Sequence, residues 1–273
     1  STMASGSTMR ACQPDRCQLV RQCGSPVEPM TIPYATIKRF HLERGRLLGS
    51  KYVVEELIGG GWEGEVYRVR ERQTRIRRAA KLFYPERNAA NRTATRYARK
   101  LEKLRMCPIV AQYHHTETLQ VRGVSVTCLI SELVDGESVT EYVTRQRGRR
   151  MQPYEALHLL HSLVVGFECI HSANEYHGDL HADNVLVRRA GIHYQVKVFD
   201  FFYRGRASAQ ERREDIIDAI RLFYDSLGGR QWYSRQPQEV KAICCGLKHG
   251  LIHRKFPTAR KLREHLERFE WSR

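Results

Sequence analysis

What this chain of 273 residues lacks narrows its class first. It has no uninterrupted apolar run of about 18 residues, the length a membrane-crossing helix needs. Its most apolar helical stretch, 156–170, is broken by His158, His161 and Glu168, so no membrane span is expected. The opening residues lack the charged-then-apolar profile of a secretory signal. Residues 1–9 are taken as a cloning remnant, nothing is seen that targets the chain for export, and a cytoplasmic location is expected. Acidic charge is scarce: 30 Asp and Glu stand against 46 Lys and Arg, giving a net charge of +16 and a pI near 9.7. Anionic partners are therefore favoured, whether nucleotide, nucleic acid, acidic protein or membrane surface. Nucleic acid is set aside, because no zinc-finger spacing, aromatic RNA-reading motif or helix-turn-helix occurs and the basic residues are spread along the chain. Cys12, Cys17 and Cys23 cluster near the start, but zinc sites usually open on closer pairs, and these read as incidental thiols of a tail. Cys107, Cys128, Cys169, Cys244 and Cys245 lie in or beside apolar segments and read as free thiols packed as small hydrophobes, in keeping with a reducing compartment.

What is present is a set of polar motifs on a strand-then-helix background. The stretch 177–187, His-Gly-Asp-Leu-His-Ala-Asp-Asn-Val-Leu-Val, sets Asp179 and Asn184 five residues apart in a polar loop that runs into an apolar strand. A carboxylate there can accept a proton from an attacking hydroxyl, and an amide oxygen close by is a hard ligand suited to Mg²⁺. Upstream, 52–58 and 65–70 alternate as strands around the turn Gly-Gly-Gly-Trp-Glu-Gly at 59–64. Gly59, Gly61 and Gly64 keep a Gly-x-Gly-x-x-Gly spacing with Val66 two residues on. Without a Cβ, backbone amides can approach phosphate oxygens. A strand follows Gly64, which argues against a dinucleotide-binding fold, where a helix would follow. Lys81 comes seventeen residues after Gly64, between apolar neighbours. A helix-favouring segment, 93–106, points Tyr97, Leu101 and Leu104 to a core, and strands are expected at 109–113, 118–121 and 125–134. Apolar residues at helical spacing mark a core helix over 153–172, with Pro153 in its first turn. Strand 194–199 ends in Asp200-Phe201-Phe202, and Asp200 can hold Mg²⁺ between phosphates.

In order and kind, these motifs resemble the protein-kinase-like superfamily over about 50–268. The resemblance implies an α+β, two-lobed fold: a small antiparallel-sheet N-lobe with one helix over 51–134 and a mostly helical C-lobe over 135–273. Residues 10–50 are left as an N-terminal extension, in which the basic amphipathic stretch 37–48 packs on the domain as an extra helix or meets a partner. The resemblance makes Asp179 the catalytic acceptor of the hydroxyl proton, and Lys81 the holder of the α- and β-phosphates. Glu102 becomes the ion-pair partner of Lys81, and Asn184 and Asp200 the Mg²⁺ ligands. Gly59, Gly61, Gly64 and Val66 cover ATP. Glu132 and Val134 belong to the hinge, whose backbone meets the adenine edge, with Ser131 at the gatekeeper place. Asp215 anchors the catalytic loop backbone and is also placed to cap its helix. His158, His161 and His171 read as surface or hydrogen-bonded histidines.

The departures fall on the acceptor side. Phe202 replaces the glycine of Asp-Phe-Gly and Gly178 the arginine of His-Arg-Asp, while His181 stands where a lysine is common. Only fourteen residues separate Asp200 from Asp215, without Ala-Pro-Glu, and Lys255 takes the place of the arginine that would pair with that glutamate. ATP-dependent, Mg²⁺-assisted phosphoryl transfer to a serine or threonine of a protein substrate is the leading expectation. A small-molecule or lipopolysaccharide-type kinase of the same superfamily acting on a hydroxylated acceptor, a pseudokinase scaffold and a nucleic-acid-binding module are the alternatives.

Overall fold

The computed structural model describes residues 37–191, 193–268 and 270. The expected cloning remnant, residues 10–36 of the extension, and Cys12, Cys17 and Cys23 lie outside them. Strands β1 (Leu47–Leu48), β2 (Tyr52–Gly60), β3 (Gly64–Glu71) and β4 (Arg77–Phe83) are followed by helix α1 (Arg92–Lys103), then β5 (Tyr113–Val121) and β6 (Val124–Glu132). They form an antiparallel sheet in the order β1-β2-β3-β4-β6-β5. Period-two alternation puts Val54, Tyr67, Val69, Leu82, Val126 and Ile130 on one buried face.

The stretch 37–48 is neither a helix nor a free arm. It runs as irregular chain, with left-handed backbone at His41 and a turn at 44–45, packs on the sheet and ends in β1, which pairs with β2. Ile37, Phe40 and Leu42 enter the sheet's core, and Phe40 stacks on Tyr84 with ring centroids 5.2 Å apart. A buried carboxylate secures this: Glu65 accepts from the Phe40 amide at 3.2 Å, from the Tyr84 hydroxyl at 3.1 Å and from the Tyr67 hydroxyl. Three donors offset the cost of burying that charge.

The second lobe holds β7 (Glu137–Ser138), α2 (Val139–Arg145), α3 (Pro153–Ser172), β8 (Val185–Ala190), β9 (His193–Val198), α4 (Ala209–Ser226), α5 (Gly229–Tyr233), α6 (Gln238–Cys244), α7 (His249–Lys255) and α8 (Ala259–Arg268). The short strands form a sheet in the order β7-β8-β9. Helix α3 starts at Pro153 behind a reciprocal cap between Gln152 and Glu155. It buries Leu157, Leu160, Leu163, Val164, Phe167 and Ile170, each worth about 1.5–3 kcal/mol. Lys255 donates to the Ala242 carbonyl at 2.9 Å, joining α7 to α6. None of the described helices is long and apolar enough to cross a membrane.

Two expectations fail where the lobes meet. The expected strand 109–113 is not formed, since β5 begins at Tyr113. Instead 109–112 crosses toward β9, with the Ile109 carbonyl accepting from the Val198 amide at 2.7 Å and Val110 bridging Val198. The same crossing brings Cys107 to Cys169 on α3, where they form a disulfide with Cα atoms 5.7 Å apart. The reading of these two as free thiols is corrected; Cys128, Cys244 and Cys245 are free.

Removing the Phe40 ring, Phe40→Ala, should destabilise the domain by about 3–5 kcal/mol; an unchanged urea midpoint would show that 37–48 is not part of the fold. Alkylation of the denatured, unreduced protein followed by peptide mass mapping should leave Cys107 and Cys169 unlabelled and Cys128 and Cys244 labelled.

Candidate active site

The loop that follows α3 is fixed from below by one carboxylate. Asp215 on α4 has no exposure, and its Oδ2 accepts from the His177 amide at 2.8 Å and from His171 Nε2 at 3.0 Å, while Oδ1 accepts from the Gly178 amide at 2.9 Å. It does not cap its helix: Ser208 does, accepting from the Glu211 amide at 3.2 Å. His177 is fully buried, and burial lowers its pKa, so the ring is neutral. Its Nε2 lies 2.9 Å from the Phe199 carbonyl and its Nδ1 accepts from the Asp179 amide at 3.3 Å. One ring thus ties the backbone of Asp179 to the residue preceding Asp200.

Gly178 has a structural reason to replace arginine. Its φ is +85°, and a Cβ there would come within 2.9 Å of the Phe202 carbonyl and of the Tyr176 ring. Phe202 in turn donates its amide to the His177 carbonyl at 2.9 Å. The chain after Asp200 thus lies directly on the catalytic loop through the backbone of residue 202, and these contacts do not explain the phenylalanine itself. The left-handed backbone falls on Asp200, φ 55°, and Phe202 is not among the positive-φ residues.

Asn184 and Asp200 flank the open end of the β8–β9 ladder, whose last pair is Val185 with Val198. The Phe199 amide donates to the Asn184 carbonyl at 3.2 Å, and Asn184 Nδ2 donates to the Asp179 carbonyl at 3.0 Å. With Nδ2 so engaged, Oδ1 is left as an acceptor. One carboxylate and one amide oxygen are a donor set that fits Mg²⁺, which takes few protein oxygens and completes its shell with phosphate and water. The Asp179 carboxylate is half exposed, with His181 Nε2 3.9 Å away; His181 Nδ1 is 3.7 Å from Asp183.

Lys81 comes from the other lobe. Its ammonium is nearly buried and donates to Asp200 Oδ1 at 2.6 Å and to Glu63 Oε2 at 3.1 Å. Burial alone would lower its pKa, but Asp200, Tyr97 and Glu63 more than offset this, so the pKa is held above its ordinary value and the group stays charged. The expected Lys81–Glu102 ion pair is not formed. Glu102 is about half exposed and pairs with Arg105 at 2.5 Å; it lines a groove between α1 and β5 outside the cleft. Helical geometry explains the failure, because Glu102 lies about 140° around α1 from Tyr97. The side chain that α1 does present is Tyr97, with the Lys81 ammonium 4.8 Å from its ring centre and its hydroxyl accepting from the Asp200 amide at 3.1 Å. Burial pushes the Tyr97 phenol up to about 12, against the pull of Lys81, so it is uncharged. Glu63 and Tyr97 are the two residues that sequence reasoning missed. The signal was present: 92–103 offers a single carboxylate, and the glycine-rich turn carries another.

Of the expected nucleotide-contacting residues, Gly59 lies near the end of β2 opposite Val66, Gly61 on the β2–β3 turn, and Gly64 opens β3 opposite Phe83. A Cβ at Gly64 would run into the Leu82 carbonyl, whereas nothing crowds Gly61. Val66 sits opposite Lys81, half-buried, as are Ala79, Ser131 and Val134. The side chain of Glu132 turns inward, accepting from Lys197 at 2.9 Å and from the Gln112 amide at 3.1 Å, which leaves only its backbone for the cleft.

A sheet lobe with one helix, a helical lobe, and a lysine and acids meeting between them define a kinase-type fold. The kinase domain of Mycobacterium tuberculosis PknI shares it, with a TM-score of 0.61 over 83% of this chain and 98% of that one, at 16% identity. A model of the protein kinase domain matches residues 52–235, and the chain belongs to that family. Among its relatives, a putative cyclin-dependent kinase F-2 of Oryza sativa is 31% identical over 59% of this chain and 47% of its own length. The serine/threonine-protein kinase PkaA of Streptomyces coelicolor is 27% identical over 57% of this chain and 30% of its own length. For pkn2 of Myxococcus xanthus the figures are 26%, 57% and 18%. The chain thus matches half or less of the length of these relatives.

One turn beyond Asp215, burial first and the Asp215 charge second push the Asp218 carboxyl up to about 6 from 3.8. A raised pKa contributes stability that is full below 3.8 and lost as pH rises through about 6. Asp218→Asn should therefore melt higher than wild type at neutral pH. The gap should close in acid; a gap that is the same at both ends would contradict the assignment.

Proposed function

We propose that this domain transfers the γ-phosphoryl group of ATP to a serine or threonine hydroxyl of a protein. The observation that carries the reading is the convergence of Lys81, Asp179, Asn184 and Asp200 from two lobes on one cleft, each held by the hydrogen bonds given above. Lys81 and the 59–64 turn would hold the phosphates. Asp179 would orient the acceptor hydroxyl and take its proton as the oxygen bonds to phosphorus and ADP leaves. Asn184 and Asp200 would hold Mg²⁺, which supplies neutralisation of charge on the phosphates. The protein's part is positioning and electrostatics. Val66, Ala79 and Val134 would wall the adenine, with backbone of Glu132 and Val134 at its edge. Because the domain needs ATP, we place it in the cytoplasm. The Cys107–Cys169 bond pulls the other way, since disulfides persist in oxidising compartments.

A small hydroxylated acceptor is the second reading. It is favoured by the short run from Asp200 to the start of α4 at Ala209, which leaves little chain to build a shelf for a peptide, and by His181 beside Asp179.

Radiolabelled ATP with the protein and a cell lysate should give a labelled protein band, and Asp179→Asn should lower it by about 10²-fold or more. A labelled metabolite without a protein band would move the assignment to the second reading. Labelling that persists in Asp179→Asn would contradict both.

A further inference from the structure

We propose that Glu63, on the glycine-rich turn, is the positioning residue that holds Lys81 for the phosphates. The inference rests on the phosphotransfer reading above and names a residue of that same site. Helix α1 cannot supply the acid: its only carboxylate, Glu102, faces away and pairs with Arg105. Tyr97 fills the place under the ammonium with a ring and an uncharged hydroxyl that is already bonded to the Asp200 amide. Lys81 therefore touches two acids, Asp200 and Glu63. Where Asp200 gives its carboxylate to a metal, Glu63 is the other carboxylate already on Lys81.

Glu63 is itself held for the task. Its carbonyl accepts from the Tyr84 amide at 2.9 Å, and Gly64 opens the paired part of β3 directly after it, so the turn is fastened to the end of the strand that carries Lys81. Trp62, the adjoining residue, stacks outward with the Arg87 guanidinium 4.0 Å from its ring. The cover over the phosphates and the lysine beneath it are thereby coupled: the turn cannot lift without taking the lysine's partner with it. The opposite reading, a carboxylate that occupies the phosphate site and competes with nucleotide, predicts a Glu63→Gln enzyme as fast as wild type or faster.

Two measurements on the full chain decide it. In the first, ADP release from Mg·ATP is followed with water and the protein itself as acceptors. Glu63→Gln should lower kcat about ten- to hundredfold, the loss expected for one charge-assisted hydrogen bond. KM for ATP should change less than kcat. Adding Tyr97→Glu should recover most of the loss in the Glu63→Gln background, because it returns a carboxylate beneath the ammonium, provided the double variant melts like wild type. A Glu63→Gln enzyme as fast as wild type, or faster, overturns the proposal, as does a folded double variant without recovery. In the second, Lys81 is acetylated in the nucleotide-free protein at one fixed pH near neutrality and the rate is read by mass spectrometry, which needs no turnover. Lys81 should be acetylated several-fold faster in Glu63→Gln, which leaves it less shielded. An unmoved rate overturns the role of Glu63 even in an active enzyme. Absence of ADP release from wild type, with the rate raised, would instead sink phosphotransfer and leave the ion pair standing.

Discussion

The contact between Lys81 and Asp200 is the point on which the site depends. One side chain comes from the interior strand β4 of the sheet lobe, the other from the end of β9 in the helical lobe, and they meet at 2.6 Å with the cation nearly buried. A buried ammonium persists only with opposite charge against it. That requirement draws in Glu63 from the turn above and sets the sheet at its working distance from the catalytic loop. The backbone that carries this carboxylate is fixed as well: Tyr97 accepts from the Asp200 amide, and His177 holds the carbonyl of its neighbour Phe199.

Helix α1 is placed without using that contact. Lys103 pairs with Glu175 at 2.7 Å, and Lys100, its pKa lowered by burial, lies over the Tyr176 ring at 4.2 Å and near Phe201. The helix is thus fastened to the second lobe by its own basic residues, at the root of the catalytic loop. Together with the Phe202 amide bonded to the His177 carbonyl and the contact between Arg96 and the Tyr203 ring, this closes the space in which a longer segment would move. These contacts stand where the expected Lys81–Glu102 pair is not formed. The Cys107–Cys169 bond adds a covalent tie at the same junction.

Much of this was legible in the residues. The order of glycine-rich turn, lysine, Asp-x₄-Asn and Asp-Phe resembles that of protein kinases, and through that resemblance points to the fold and to Lys81, Asp179, Asn184 and Asp200 as the candidate site. Asp215 is placed by the same resemblance, but the capping role also expected of it is not formed, since α4 begins at Ala209 with Ser208 as its cap. What was missed depended on direction and not on type. Glu102 was chosen as the sole acid on its helix, yet its azimuth points it to solvent, and the neutral Tyr97 carried no charge to attract notice. The stretch 37–48 looks amphipathic in a helical sense, whereas its apolar residues enter the sheet's core from an irregular segment held by Glu65, twenty-five residues from Phe40 in sequence. The Cys107–Cys169 pair escaped because it depends on the crossing at 109–112, a tertiary event that read locally as a strand.

The most direct test is a crystal structure with Mg²⁺ and a non-hydrolysable ATP analogue. Metal density between Asn184 and Asp200, the Lys81 ammonium on the phosphates, and Asp179 facing the γ-phosphate are the predicted result. A nucleotide bound outside the cleft, or one in the cleft with its phosphates directed away from Lys81 and Asp200, would contradict the account.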